Sequence, residues 1–331
     1  MDTGGNLYGT TSDGGKFLNT NSCHESGCSG TVFKLTPPST HGENWTESIL
    51  WDFGNGTDGS SPAAGLIVDA AGNLYGTTSL GGAYAGVDVI GNPTGGTVFE
   101  LTPPPTIGGP WTESVLWSFG SGVYSSFGSV GNGTDGSNPE GGLLMDAAGN
   151  LYGTTGFGGA YARHFHKFGT TCCAPIGGTV FKLRRPSSSG RKWTESILWS
   201  FGSGTDGGGP GGGLLMDAAG NLYGTTSLGG AGSGTVFKLK PPSSGEQTGT
   251  EWILWDFGNG TDGSEPEGGL IMDAAGNLYG TTSLGGASAR FDNELLGGDR
   301  VRNLRPGSCP DGPKRLAGPV EFRQCGSRPD Q

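Results

Sequence analysis

A segment of fourteen residues recurs along this chain and constrains its fold more than any other feature. The pattern G-L-(I/L)-(V/M)-D-A-A-G-N-L-Y-G-T-T occurs at residues 65–78, 142–155, 213–226 and 269–282. The copies start 77, 71 and 56 residues apart, and a truncated copy opens the chain, with Met1 at the position of Met145. Self-similarity of this kind predicts a tandem-repeat architecture, in which each unit buries its apolar surface against its neighbours.

Two further segments recur between these copies. The pattern G-T-V-F-(K/E)-L begins at residues 30, 96, 178 and 234. The pattern W-T-E-S-(I/V)-L-W-(S/D)-F begins at residues 45, 111 and 193, and an altered copy, G-T-E-W-I-L-W-D-F, occupies residues 249–257. The shortest unit therefore has 56 residues, and the longer units are that unit with insertions.

The pattern predicts four short strands in each unit. The first two are GLIVD and NLYGTT in the second unit, and the last two are GTVFKL and WTESILWDF in the first unit. Gly72, in the D-A-A-G-N connection, predicts a hairpin loop with a left-handed glycine. Alternation with a period of two predicts that the fourth strand places four apolar residues on one face. These residues are Trp45, Ile49, Trp51 and Phe53.

Four strands in a repeated unit of this size are typical of propeller blades. We therefore expect an all-β fold, a β-propeller of about four four-stranded blades or an open fragment of a larger propeller. The alternative is a parallel β-helix, whose coils are shorter and lack the hairpin signal. A ring of four could close if the last GLIMD strand completed the first blade.

Composition and charge exclude several classes of protein. The 70 glycines and 20 prolines would indicate disorder in a chain without a period, but here the glycines follow the repeat. The net charge of −11 argues against nucleic acid as a partner, since phosphate contacts need clustered Lys and Arg. No apolar run reaches the roughly 20 residues of a membrane span, and no signal peptide is visible at the N-terminus.

The repeated motifs resemble those of a known family. The pattern GxxDAAGNLYGTTSxGG, followed by GTVFKL and LWSF, is similar to the GloVer tandem repeat of bacterial surface and secreted proteins, and the resemblance covers residues 1–287. It implies a propeller-like repeat region without assigned chemistry, and an extracellular or cell-surface location. Anchoring signals vary within the family, and no C-terminal sorting motif is visible in this chain.

The composition changes after residue 287. Residues 288–331 contain seven of the eleven arginines and no repeat element, so we expect two parts. Residues 1–287 would form the blades, and residues 288–331 an Arg-rich, poorly ordered tail. This tail is either an ending foreign to the repeat or an ordinary flexible terminus.

Catalytic motifs are not found in the sequence. It has no G-x-S-x-G, H-E-x-x-H or Walker segment. We expect the repeated aspartates to stabilise their turns rather than to act as acids or bases. They are Asp69, Asp146, Asp217 and Asp273. The N-G-T-D-G segments at residues 55–59, 132–136 and 259–263 are interpreted as turns, with calcium binding as the alternative.

Cysteines and histidines lie outside the repeated strands. Cys23 and Cys28 share one insertion and are candidates for a disulfide in an exported protein. A second insertion contains four residues, two histidines and two cysteines, that suit zinc or copper, and the favoured alternative is a loop that binds no metal. These residues are His164, His166, Cys172 and Cys173. We otherwise expect no cofactor.

Insertions fall in particular connections between strands. The connection between strands two and three occupies residues 12–29, 79–95, 156–177 and 227–233, whereas D-A-A-G-N is constant in every complete copy. Strands alternate in direction, so this connection and the one between blades should lie on one face. Neutral drift of surface loops would give the same variation.

We expect that face to bind a carbohydrate or protein ligand, because insertions in repeat proteins often map to the binding face. The candidate residues are Tyr84, Tyr124, Tyr161, His164 and His166. The first functional hypothesis is thus a non-enzymatic binding or structural propeller at the bacterial surface. The alternative is a carbohydrate-active enzyme, a hydrolase or lyase.

Overall fold

The computed structural model describes most of the repeat region. Its described residues are 1–17, 29–40, 42–87, 93–106, 108–121, 134–161, 163–166, 173–188, 190–230, 233–243, 248–258, 262–285 and 320–322. Within these ranges every regular element is a β-strand, so the prediction of an all-β fold is confirmed. The same ranges contain no helix long and apolar enough to cross a membrane.

The strands form successive blades with the expected order. Blade 1 contains β1 (Leu7–Thr11), β2 (Thr31–Thr36) and β3 (Thr46–Asp52). Blade 2 contains β4 (Ile67–Val68), β5 (Leu74–Thr78), β8 (Thr97–Thr102) and β9 (Thr112–Ser118), and a hairpin of β6 (Gly86–Val87) and β7 (Pro93–Thr94) lies between β5 and β8.

Blade 3 repeats this plan with a longer hairpin. It contains β10 (Leu144–Met145), β11 (Leu151–Thr155), β14 (Thr179–Arg184) and β15 (Thr194–Ser200), with the hairpin β12 (Arg163–His166) and β13 (Cys173–Ile176). Blade 4 contains β16 (Leu215–Met216), β17 (Leu222–Thr226), β18 (Thr235–Lys240) and β19 (Thr250–Asp256). Blade 5 is represented by β20 (Ile271–Met272) and β21 (Leu278–Gly280), which pairs in parallel with β22 (Val320–Phe322).

Blades 2, 3 and 4 each bury one face against the next blade and the other against the previous blade. We call these the leading face and the trailing face. In blade 2 the leading face includes Tyr75, Val98 and Phe119, which pack against Leu151 and Phe181 of the trailing face of blade 3. The same contact recurs between blades 1 and 2 and between blades 3 and 4. Apolar residues at repeated positions therefore form the core between blades, as the propeller interpretation requires.

The fourth strand differs from its predicted alternation. In blade 3, Trp193 and Ile197 pack towards blade 2, whereas Trp199 and Phe201 pack towards blade 4. The prediction that Trp45, Ile49, Trp51 and Phe53, which occupy these positions in blade 1, share one face is therefore wrong. The cause is a β-bulge, because Val180 pairs with Trp199 and Phe181 with Ile197, which leaves one extra residue between them.

The D-A-A-G-N connection is the tight turn that the sequence predicts. Gly72 has φ of 86°, in the left-handed region that favours glycine. Its amide donates a hydrogen bond of 3.0 Å to the carbonyl of Asp69, and the amide of Asp69 donates one to the carbonyl of Asn73. This turn positions the two short inner strands of each blade.

The blades form an open array within the described residues. The strands of blade 5 and those of blade 1 belong to separate sheets, so the last GLIMD strand does not complete the first blade. Of the C-terminal segment, only residues 320–322 are described. The proposed tail at residues 288–331 otherwise lies outside the described residues, and its poor order stays a prediction.

Candidate functional site

The two variable connections lie on the same face of the array. A short antiparallel bridge joins the connection between blades to the connection between the second and third strands of the next blade. These bridges are Ser60–Leu80, Ser137–Phe157, Gly208–Leu228 and Ser264–Leu284. We call this side of the array the loop face. The arrangement agrees with the prediction that both sets of insertions decorate one side.

Aromatic side chains occupy the same position of the loop face in three consecutive blades. Tyr84 of blade 2 is 49% exposed and Tyr161 of blade 3 is 46% exposed. Phe17 of blade 1 is half-buried and follows the same Gly-Gly step. We call these three residues the aromatic row.

Close backbone packing fixes the position of this row. The carbonyl oxygen of Tyr161 lies 2.8 Å from the point where a Cβ on Gly202 would sit, and that of Tyr84 lies 3.3 Å from the corresponding point on Gly120. Gly54 faces the carbonyl of Phe17 in the same way. Each aromatic residue is therefore seated on the glycine that follows the fourth strand of its blade.

The sequence interpretation missed Phe17. It follows Gly-Gly-Lys, whereas Tyr84 and Tyr161 follow Gly-Gly-Ala, so an alignment on the Gly-Gly pair would have found it. The ammonium of Lys16 lies 5.5 Å from the centroid of the Phe17 ring, which is within the range of a cation–π contact. Blade 1 thus adds a positive charge to one end of the aromatic row.

The histidine-containing insertion of blade 3 is a hairpin rather than an irregular loop. His164 and His166 lie on β12, where the Cα partner of His164 is Pro175 and that of His166 is Cys173. The other residues named for this face, for a metal or for a disulfide lie outside the described residues. They are Tyr124, Cys172, Cys23 and Cys28. In the part of the chain that is described, no three His, Cys, Asp or Glu side chains form a group that could hold a metal ion.

The repeated aspartates of the D-A-A-G-N turn have a structural role. In blade 4, Asp217 accepts hydrogen bonds from the amides of Ala219 and Asn221, the side-chain amide of Asn221 and the hydroxyl of Tyr223. Burial opposes ionisation, but these hydrogen bonds outweigh it and hold the pKa of Asp217 below its usual value. The prediction that these aspartates stabilise turns is confirmed.

Acidic residues from neighbouring blades face one another in a way that the sequence did not reveal. Burial and the charge of Asp58 raise the pKa of Glu113 to about 7, and burial and the charge of Asp135 raise the pKa of Glu195 to about 8. Glu251 and Asp206 repeat the relationship, with a pKa of about 7 for Glu251. In each glutamate Oε1 is buried and has no hydrogen-bond partner among the described residues.

The aspartates of these pairs come from the N-G-T-D-G segments or their equivalents. Asp58 accepts hydrogen bonds from the indole of Trp51 at 3.3 Å and from the amide of Gly54 at 3.2 Å. These contacts close the turn after the fourth strand, as the turn interpretation requires. Burial nevertheless raises the pKa of Asp58, so this carboxylate is held in a weakly solvated position.

One pair of carboxylates that is not repeated in every unit interacts electrostatically. Glu140 and Glu267 precede the first strands of blades 3 and 5, and blade 4 has Gly211 at that position. A carboxylate oxygen of Glu140 lies 3.8 Å from where a Cβ on Gly211 would sit. Desolvation and the charge of Glu267 raise the pKa of Glu140. The sequence interpretation had not found this pair of acids.

Comparison with known proteins agrees with this architecture. None of the curated proteins that were compared with the chain matches it. The family model described as the Gloeobacter/Verrucomicrobia repeat matches residues 106–291, which is more than half of the chain. That range contains two complete blades with their repeated turns, and strands β20 and β21 of blade 5. The chain therefore belongs to the Gloeobacter/Verrucomicrobia repeat family.

Proposed function

We propose that this chain is a non-enzymatic binding protein of the bacterial surface or exterior, which binds a carbohydrate or peptide on its loop face. The observation that carries the proposal is the aromatic row, in which consecutive blades present an aromatic side chain at one repeated position. Two of its members, Tyr84 and Tyr161, are about half exposed although a rigid backbone position supports them.

The chemistry of the row suits an extended ligand with repeated flat faces. Aromatic side chains offer large, rigid contact area at low cost in conformational entropy, and tyrosine adds a polar hydroxyl. A polymer of sugar rings or an extended peptide can place successive units on successive blades. The net charge of −11 disfavours polyanions, so the ligand is neutral or basic.

The test is binding of the intact chain to a panel of neutral polysaccharides and extended peptides. For a ligand found in this way, the Tyr84→Ala/Tyr161→Ala variant should bind at least about tenfold more weakly, since aromatic anchors contribute a kcal/mol or more each. Trp252→Ala is the matched control, because Trp252 is 46% exposed but lies on the fourth strand of blade 4. Unchanged affinity in the tyrosine variant would contradict the proposal.

A carbohydrate-active enzyme is the second candidate, and the electrostatic interaction of Glu140 with Glu267 favours it. Hydrolysis of a glycosidic bond uses two carboxyl groups, one of which has a raised pKa and donates a proton. The experiment is a screen of the chain for hydrolysis or cleavage of polysaccharides. Activity that Glu140→Gln or Glu267→Gln abolishes would support the enzyme, and absence of activity on every substrate would exclude these substrates.

A further inference from the structure

A lysine lies beside the tyrosine of the N-L-Y-G-T-T segment in three blades, and blade 2 has a glutamate in its place. The residue that pairs with this tyrosine is Lys34 in blade 1, Lys182 in blade 3 and Lys238 in blade 4, but Glu100 in blade 2. In blades 1, 3 and 4 the ammonium lies 5.0 to 6.0 Å from the centroid of the tyrosine ring. Lys238 also donates a hydrogen bond to the hydroxyl of Tyr223. Blade 2 therefore replaces a shared positive charge with a negative one.

In blade 2 the hydroxyl of Tyr75 meets two carboxylates. It lies 2.8 Å from Oε1 of Glu100 and 3.2 Å from Oδ2 of Asp69. Burial and the charges of the two acids raise the pKa of Tyr75, so the phenol keeps its proton. A phenol has one hydrogen and can donate it to one carboxylate only, and carboxylates have no hydrogen to give. The other contact therefore brings two acceptor oxygens together with no hydrogen between them.

The phenol oxygen of Tyr75 is also a buried acceptor without a donor. Tyr75 is 1% exposed, and no residue in the described part of the chain donates a hydrogen bond to its oxygen. Lys238 fills this role in blade 4. The residues that follow Glu100 are Leu-Thr-Pro-Pro-Pro and carry no charge. The two acids are half-buried beside exposed Ala70 and Ala71, so their oxygens can be reached from the solvent.

We propose that blade 2 binds the primary ammonium group of another molecule between Asp69, Tyr75 and Glu100. An ammonium has three N–H donors, which match Oδ2 of Asp69, the phenol oxygen of Tyr75 and Oε1 of Glu100. Two of the three hydrogen bonds join opposite charges, which makes them short and strong. The bound group takes the place that the lysine of the same chain occupies in blades 1, 3 and 4.

An ammonium suits this site better than a calcium ion. Calcium takes about six to eight oxygen ligands. Oδ1 of Asp69 already accepts the amides of Ala71 and Asn73, each at 2.9 Å, so three oxygens remain. The ligand is therefore a primary amine, and a lysine side chain of a peptide, a polyamine and an amino sugar share this group. The site lies beside the D-A-A-G-N turn, away from the loop face, so it does not depend on the aromatic row.

The experiment is a titration of the full chain with n-butylammonium chloride at constant ionic strength, followed by nuclear magnetic resonance. The backbone amide of Asn73, which donates to Asp69, should shift and saturate, with half-saturation on the order of 1–10 mM. Glu100→Lys should abolish the shift, because the new side chain fills the site. Glu100→Gln should weaken binding by about tenfold or more, since one charged acceptor is lost. Glu47→Lys makes the same change of charge at an exposed position of blade 1 and should bind as the unmodified chain does.

The converse substitution should create a second site. Lys182→Glu gives blade 3 the acids of blade 2, so the amide of Asn150, which donates to Asp146, should now shift and saturate as well. Circular dichroism checks that each variant keeps its β-structure. Tetramethylammonium has no N–H donor and should leave the Asn73 amide unchanged, as should calcium chloride. A shift that does not saturate, an equal response to tetramethylammonium, a response to calcium alone, a shift that persists in Glu100→Lys, or no second site in Lys182→Glu would overturn the proposal.

Discussion

The hydroxyl of Thr154 in blade 3 donates a hydrogen bond of 3.3 Å to the carbonyl oxygen of Gly212 in blade 4. The same bond crosses each of the other interfaces described in this array. Its other examples are Thr10 to Ala64, Thr77 to Gly141 and Thr225 to Gly268. The first threonine of the G-T-T motif thus ties each blade to the residue before the next blade. Because the backbones approach closely there, the acceptor position takes only glycine or alanine.

Two adjacent glycines test this close approach. A Cβ on Gly141 would lie 2.7 Å from the carbonyl oxygen of Gly212, whereas a Cβ on Gly142 would meet no atom within 4 Å. Gly141→Ala should lower the free energy of unfolding by about 1–3 kcal/mol, since a well-packed site must shift to accept the methyl group. Gly142→Ala is the control and should change it by less than about 0.5 kcal/mol. Urea unfolding measures both, and equal effects would contradict the explanation.

The sequence predicted the blades and the apolar packing between them, but not the bulge in the fourth strand or the acidic pairs at the interfaces. The repeated motifs and Gly72 were sufficient to predict the strands and their turn, because both depend on residues that are close together in the sequence. The bulge at residue 198 was missed, since alternation assumes an uninterrupted strand. The pairing of Glu195 with Asp135 was missed because the two residues belong to different repeated segments and meet only across an interface. Phe17 was missed because it lies in a connection whose length varies.

The glutamates between blades should make stability fall as the pH rises. The pKa of Glu195 is raised by burial and by the charge of Asp135 to about 8 in the folded chain, from 4.5 for an ordinary glutamate. The folded state therefore holds its proton more tightly, so the contribution is complete below pH 4.5 and is lost as the pH rises to about 8. Thermal unfolding between these values should show a falling midpoint.

Glu195→Gln should reduce this dependence, because a neutral amide needs no proton. At pH 8 we expect this substitution to raise the free energy of unfolding by on the order of 1–2 kcal/mol. This is less than the full pKa shift of Glu195 would give, because the side chain is only half-buried. Glu47→Gln is the matched control, since Glu47 is the equivalent residue of blade 1 and is exposed. An unchanged pH dependence in Glu195→Gln would show that the pair does not set it.

The aspartates of the turns should have the opposite effect in acid. Hydrogen bonds outweigh burial and lower the pKa of Asp217 in the folded chain, so its contribution is present above about pH 4 and is lost as the pH falls further. Asp217→Ala removes four hydrogen bonds and should cost about 1–3 kcal/mol at neutral pH. Asp13→Ala, at an exposed position, is the control for loss of a charge. Similar losses in both variants would contradict the role of the turn.

The phenylalanine pairs between blades should couple the stability of adjacent units. The rings of Phe119 and Phe181 lie 4.9 Å apart and tilt by 55°, and related pairs join blades 1 and 2 and blades 3 and 4. Phe119→Ala and Phe181→Ala should each cost about 3–5 kcal/mol, because both side chains are fully buried. The double variant should cost about 0.5–1.5 kcal/mol less than the sum, which is the energy of the aromatic contact.

A double-mutant cycle on two phenylalanines that do not touch is the control for the cycle on Phe119 and Phe181. Phe119 and Phe237 are buried at different interfaces, so their substitutions to alanine share no contact. Their effects on the free energy of unfolding should add within about 0.5 kcal/mol if the array unfolds as one unit. If the effects of Phe119→Ala and Phe181→Ala also add, the two rings stabilise the fold only through the area that each one buries. If the distant pair fails to add, the blades unfold in separate steps, as repeat arrays do when contacts between neighbours are weak.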